Sequence, residues 1–232
     1  MRKVGIIGAM DEEIIALKEK MEVQKVENVA GLEFVVGELS HLPVVLVRCG
    51  IGKVNAALCT QILISQFHID AIINIGVAGA LHPELKIGDV VISSDTIHHD
   101  FDASAFGDDI GVIPRMEEST FQADAKLIHL AKEAGKHISS IRQIYVARIV
   151  SGDQFIADKR KKDWIWRKFG AYCTEMEGAA IAHVCYVNEI PFVIIRSISD
   201  GADQGADMNF NQFVKLAAQN SSALIEQMLQ YV

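Results

Sequence analysis

Short β-branched apolar runs alternate along this chain with segments whose apolar residues recur every three or four positions. The runs at 3–9, 33–39, 43–49, 71–75, 89–94, 142–150 and 192–197 have the length and residue types of strands. The segments at 11–21, 53–67, 123–136, 159–169, 176–188 and 210–229 carry the helical period. Ile72-Ile73-Asn74-Ile75 and Phe192-Val193-Ile194-Ile195 read as apolar on both faces, the pattern of central strands covered by helices. Only Ser40-His41-Leu42 separates the second run from the third, which predicts a hairpin and therefore a mixed sheet. The alternation as a whole predicts a three-layer α/β/α sandwich around a central mixed β-sheet. No linker, repeat or low-complexity tract interrupts it, so one domain is expected over residues 1–232. The segment 98–120 follows neither period, and its length inside a compact domain predicts a functional loop or an interface element.

Composition narrows the partners. Half of the 232 residues are hydrophobic and 22% are charged, enough for a large core. A net charge of −8 argues against the basic face that sequence-independent nucleic-acid binding needs. No apolar stretch approaches the roughly 18 residues of a membrane span. Neither nucleic acid nor membrane is expected as a partner. Met1-Arg2-Lys3 is positively charged, but Asp11-Glu12-Glu13 breaks the apolar run behind it, which predicts a strand and not a signal peptide. Cys49, Cys59, Cys173 and Cys185 form no CxxC pair and no disulfide framework, so buried free thiols and a reducing, cytoplasmic setting are expected.

The acids change the picture most. Asp11-Glu12-Glu13 closes the first strand, Glu175-Met176-Glu177 opens a helix, and Asp200 follows the last strand. Open α/β sheets gather ligands outside the carboxyl ends of their strands, so these acids predict proton chemistry on a neutral or cationic small molecule. Asp11-Glu12-Glu13 also suits a helix cap, although three acids in a row exceed what capping requires. Gly5-Ile6-Ile7-Gly8 is not GxGxxG, and the acids behind it would repel a pyrophosphate. Gly50-Ile51-Gly52-Lys53 misses the phosphate-loop pattern at Val47 and Val54. No cofactor is expected. His98-His99-Asp100 with Asp102 has metal-ligand chemistry, but no second histidine cluster completes a coordination set, which favours a structural or interface role and no metal. Gly76-Val77-Ala78-Gly79-Ala80 allows either close backbone approach to a ligand or a tight turn. Ser151-Gly152-Asp153-Gln154-Phe155-Ile156 offers either a flat stacking surface for a base or a satellite core cluster.

Read in order, Gly5-Ile6-Ile7-Gly8-Ala9-Met10 with Glu12-Glu13, Gly50-Ile51-Gly52-Lys53-Val54-Asn55-Ala56-Ala57, Gly76-Val77-Ala78-Gly79, Ser104-Ala105-Phe106-Gly107, Ser151 to Ile156, Glu175-Met176-Glu177 and Ser197-Ile198-Ser199-Asp200 span nearly the whole chain. This ordered set closely resembles the bacterial 5′-methylthioadenosine/S-adenosylhomocysteine nucleosidases of the purine nucleoside phosphorylase superfamily. The resemblance implies a nucleoside phosphorylase-like fold that hydrolyses the N-glycosidic bond of those two nucleosides, and of 5′-deoxyadenosine, to release adenine in methionine salvage. A nucleosidase preferring aminofutalosine and a phosphate-dependent phosphorylase are the rival activities. On this likeness Glu13 is the base that activates water, and Asp200 is the acid at purine N7. Glu177 grips the ribose hydroxyls with Met176 against the sugar, and Phe155 stacks on adenine while the Ile156 backbone reads its edge. Ala78 and Gly79 line the ribose and base, Ser199 orients Asp200, and Ala9, Met10, Val77 and Glu175 complete the lining. Ile51 and Phe210 wall the 5′-thio pocket, and Phe106 reaches in from the neighbouring subunit of a homodimer.

The chemistry sets two requirements. Asp200 must keep its proton near neutral pH, so apolar surroundings should raise its pKa. Glu13 must be ionised, which a helix N-terminus favours. Glu13 also occupies the turn where related phosphorylases carry arginine, which implies water and not phosphate as nucleophile. Three places depart from the family pattern: Val77 stands for a frequent serine, Gly178 for alanine, and the loop at 201–207 is variable.

Overall fold

The computed structural model describes residues 3–203 and 206–231, without the side chains of 207–209. Met1 and Arg2, and Gln204 and Gly205 within the 201–207 loop, lie outside the described residues. The elements run β1 (Val4–Gly8), α1 (Asp11–Lys18), β2 (Glu22–Val29), β3 (Leu32–Leu39), β4 (Leu42–Arg48), α2 (Lys53–Phe67), β5 (Ala71–Ala80), β6 (Val90–His98), β7 (Phe121–Gln122), α3 (Ala125–Gly135), β8 (Ile144–Ser151), α4 (Lys159–Phe169), β9 (Cys173–Glu175), α5 (Gly178–Val187), β10 (Phe192–Asp200) and α6 (Ala206–Leu229).

Among the described residues one mixed sheet holds ten strands in the order β10-β6-β8-β9-β5-β1-β4-β3-β2, with β7 set against β6. Since β10 also pairs with β5, five strands close into a ring and the rest extend from it as an open sheet. Successive strand residues point to opposite faces, and the core follows that rule. Ile7, Ile72 and Ile194 pack with Ala56, Leu63 and Ile181 of α2 and α5. Their neighbours Ile6, Ile73 and Ile195 pack on the other face with Leu17, Leu127 and Leu224 of α1, α3 and α6. Three layers result, as the pattern predicts. Between β3 and β4, Ser40 and His41 both take positive φ (51° and 66°), the geometry that matches a two-residue hairpin loop to strand twist. All four cysteines are free and buried.

The differences from the sequence reading have local causes. β2 escapes notice because it pairs only with β3 and carries charge along an exposed edge, as edge strands do. β5 continues through Gly76–Ala80, so that segment is buried strand and not a tight turn. β10 likewise runs through Asp200, which becomes the last strand residue and not the first one beyond it. Small and polar residues at those strand ends hide the continuation. β6 reaches His98, so the irregular segment begins one residue later than expected. Glu175 pairs in β9 and Glu177 caps the next helix, so α5 starts at Gly178 and not at Met176.

Candidate active site

The turn Ala9-Met10 leads from β1 into α1, and the three acids of that helix separate here. Asp11 and Glu12 stay exposed in the first turn, with Asp11 3.2 Å from Arg48, where they complement the helix dipole. Glu13 turns inward and is 3% exposed. Its Oε2 accepts the N–H groups of Ala9 (2.6 Å) and Met10 (3.0 Å), and its Oε1 accepts that of Val77 on β5 (3.1 Å). Gly76 makes room for this carboxylate, because a Cβ there would lie 2.6 Å from Oε1. Burial raises the Glu13 pKa, outweighing nearby Arg196 and the three N–H donors. This works against the ionised Glu13 that the chemistry calls for and a helix N-terminus favours. A helix N-terminus contributes less than the removal of a carboxylate from water.

Glu175, at the end of β9, sits opposite Arg196 of β10. Its Oε2 takes Arg196 Nη2 at 2.5 Å and the N–H groups of Gly178 (2.7 Å) and Glu177 (3.1 Å), while Ser151 Oγ bonds Oε1. Burial opposes the charge, but Arg196 and these donors prevail and hold Glu175 below the usual range. Among the described residues Glu177 accepts just the Gly52 N–H, at 2.8 Å. Burial, and then the neighbouring Glu175 charge, push it up to about 8. Asp200 is 2% exposed, with Ser199 Oγ 2.9 Å from its Oδ2 and the Ala202 N–H 2.8 Å from its Oδ1. Burial raises its pKa, as its expected role requires. Gly79 sits beside it on β5, where a Cβ would come within 2.8 Å of Oδ1.

These groups open onto one cleft of about 110 Å³. Glu13, Ala9 and Met10 line it, together with Asp200, Ser199 and Gly79. Val77, Ala78, Glu175, Met176 and Glu177 contribute to the same wall, with Ile51, Phe155 and Phe210. The Phe155 and Phe210 rings meet edge-to-face at 5.8 Å. Ile156 lines a small adjoining cavity shared with Gly79, Phe155 and Asp200. Phe106 is the exception: it is 89% exposed on a short 3-10 turn (Ser104–Phe106) and lies outside this cleft.

A family model described as the phosphorylase superfamily matches residues 3–230. The chain belongs to that superfamily. It is 43% identical over 230 residues to the 5′-methylthioadenosine/S-adenosylhomocysteine nucleosidase of Marinomonas sp. (strain MWYL1), covering 99% of each chain. The structure superposes with TM-score 0.96 on the nucleosidase of that name from Neisseria meningitidis in complex with methylthio-immucillin-A (41% identity, all of both chains). It superposes with TM-score 0.94 on the native futalosine hydrolase of Helicobacter pylori strain 26695, at 35% identity over all of this chain and 98% of that one.

Within this superfamily member, sequence reasoning left four residues of the site without a role. Thr174 lines the cleft. Arg196 is 1% exposed, and its Nη2 also bonds Asn74 Oδ1 at 2.5 Å. Ser151 Oγ accepts the Ala179 N–H at 2.6 Å while bonding Glu175. Asn74 and Arg196 carried a usable signal, since a polar residue inside an apolar strand must find a buried partner. The histidines lie elsewhere. His98 is packed against Phe121 and His183, and burial lowers its pKa to about 4. Asp100 bonds Lys53 Nζ (2.6 Å) and the Asp153 N–H (2.9 Å). Among the described residues, no group of three His, Cys, Asp or Glu is placed to hold a metal ion.

Proposed function

We propose that this enzyme hydrolyses the N-glycosidic bond of 5′-methylthioadenosine and S-adenosylhomocysteine, and of 5′-deoxyadenosine, releasing adenine. One observation carries the reading. Glu13 and Asp200, two carboxyl groups whose pKa values burial raises, open onto the same cleft, and none of its described lining residues is lysine or arginine. A buried carboxyl poised nearer neutrality suits proton transfer at physiological pH. Asp200 gives its proton to purine N7 as the C1′–N9 bond breaks, and the bonding electrons leave with adenine. Water attacks the electron-poor C1′, and Glu13 takes the proton that water sheds. Glu177 holds the ribose hydroxyls through its carboxyl oxygens. Phe155 supplies the stacking face, with the Ile156 backbone at the base edge.

The lining also supports water over phosphate as nucleophile. A phosphate dianion needs cationic partners, and Arg196 is committed to Glu175 and Asn74. The test is adenine release from 5′-methylthioadenosine in phosphate-free buffer. Full activity is expected there, and a strict phosphate requirement would overturn the hydrolytic reading. Asp200→Asn should keep the fold and lose about 10²–10⁴-fold in kcat, the usual share of a general acid.

A second reading concerns the 5′ substituent. Ile51 in the outer wall is 54% exposed, so this subunit alone leaves the 5′ end open. A bulkier tail, as in aminofutalosine, belongs in the same assay. The exposed Phe106 and the apolar residues Val54 (79% exposed), Leu58 (46%) and Val187 (64%) on α2 and α5 support a homodimer in which Phe106 closes the neighbour's 5′ pocket. We assign the chain to a single domain, to methionine salvage and to the cytoplasm, the last supported by its buried free thiols.

A further inference from the structure

Asp200 ends its strand but is held from beyond it, by the Ala202 N–H at Oδ1. Residue 202 presents that group from the left-handed region (φ 50°), which a side chain with a Cβ enters only at a steric cost. Ala202 is fully buried, and a Cβ on the facing Gly79 would approach its own Cβ to 2.8 Å. The turn therefore needs an external hold, and Lys162 of α4 supplies one. Its Nζ donates to the Gly201 carbonyl at 2.6 Å and lies 3.5 Å from Asp203 Oδ2, so it grips both neighbours of Ala202. The Lys162 side chain is only 16% exposed. α4 also begins just after Phe155 and Ile156, so the same lysine ties the base-stacking segment to the turn beside the acid.

We infer that Lys162 is a positioning residue for Asp200, fixing the turn at 201–203 so that the Ala202 N–H meets the carboxyl group. The inference rests on the reading of Asp200 as the acid. The groups facing Asp200 are Ser199 on its own strand, Ala202 and Asp203 on the turn, Lys162 on α4, and the buried thiol of Cys173 on β9. Removing the ammonium acts twice in one direction. Asp203 loses its counter-charge, and the loosened turn withdraws a donor from the ionised carboxylate. Both changes favour protonated Asp200, so the alkaline limb of kcat/KM should move to higher pH.

The experiment compares Lys162→Met, Lys162→Arg and Lys162→Met/Ala202→Gly by adenine release from 5′-methylthioadenosine between about pH 5 and pH 10, with Asp200→Asn as reference. Lys162→Met should lose about tenfold in kcat, with KM changed less than about twofold and the alkaline limb raised. Lys162→Arg should stay near wild type. Adding Ala202→Gly should recover most of the loss, because glycine enters the left-handed region freely. Wild-type kcat and an unmoved limb in Lys162→Met, alongside inactive Asp200→Asn, would overturn the inference and leave the acid standing. Normal turnover in Asp200→Asn would remove the acid itself. If Lys162→Met does not fold, Asp203→Asn carries the test. Deleting that negative charge should lower the alkaline limb, and an unmoved limb there would also overturn the inference.

Discussion

Replacing Arg196 with methionine should cost the fold about 3–5 kcal/mol, the usual penalty for stranding a buried charge. The guanidinium is 1% exposed and sits 2.5 Å from a carboxylate that is itself 7% exposed. Methionine can fill much of the same volume, but Glu175 would keep only the dipoles of Ser151, Glu177 and Gly178 against its full charge. An exposed pair such as Lys18–Glu33, with side chains 43% and 50% accessible, should cost about 0–1 kcal/mol on the same treatment. A second change, Glu175→Gln, should recover most of the loss. Its carbonyl can accept the Glu177 and Gly178 N–H groups while its amide donates to Ser151 Oγ. A residual deficit of about 1–3 kcal/mol should remain, because Asn74 also loses its donor.

The pH dependence gives the argument a sign. In the wild type, Glu175 has a depressed pKa, so it stabilises the fold above its unfolded value and that contribution is lost as pH falls through the folded one. In Arg196→Met the buried, unpaired carboxyl has a raised pKa instead. That variant is least handicapped below the unfolded pKa and is penalised more as pH rises through its new folded value. The gap to wild type should therefore widen from about pH 5 to about pH 8. Urea denaturation followed by the fluorescence of Trp164 and Trp166 measures it. Equal destabilisation of the single and double variants, or a gap that does not change with pH, would refute the reasoning.

Two further outcomes are expected. Gly79→Ala puts a methyl group 2.8 Å from Asp200 Oδ1, so kcat should drop by about 10²-fold while far-UV circular dichroism stays native; an unchanged kcat would show that the acid's placement is not so constrained. Phe106→Ala removes a ring that is 89% exposed and touches nothing in its own cleft. Stability should change by less than about 0.5 kcal/mol while KM for 5′-methylthioadenosine rises several-fold. Sedimentation showing a fully active monomer would exclude a contribution from the neighbour.

The layers of the fold were legible because Ile6 and Ile7, or Ile72 and Ile73, have only two faces to choose between and both are dry. β2 was not, since Glu22, Lys25 and Glu27 lie on an edge where water replaces packing as the selection on side chains. The ends of β5 and β10 were misread for a related reason: Gly76, Gly79, Ser197 and Asp200 suit a strand that must admit a ligand, and they look like a loop when only hydrophobicity is followed. Within the site, the position of Glu13 at the helix start was plain, but its pKa was not. Burial comes from β5 and α6, segments distant in sequence, and no local pattern reports it. Arg196 was visible and unassigned because its partners, Asn74 and Glu175, meet it only across strands.

The ring formed where β10 returns to β5 leaves the described sheet with one long free rim, that of β2. A foreign strand that tried to add to the protein, the opening step of fibrous aggregation, would have to dock there. It would meet Glu22, Glu27 and Lys25, the last two already paired at 2.6 Å, and would have to strip water from them. Crowding should therefore be tolerated as long as those charges remain. Substituting all three with valine should turn that rim into a seed for polymerisation, while leaving the nucleoside cleft at the ends of β1 and β5 untouched.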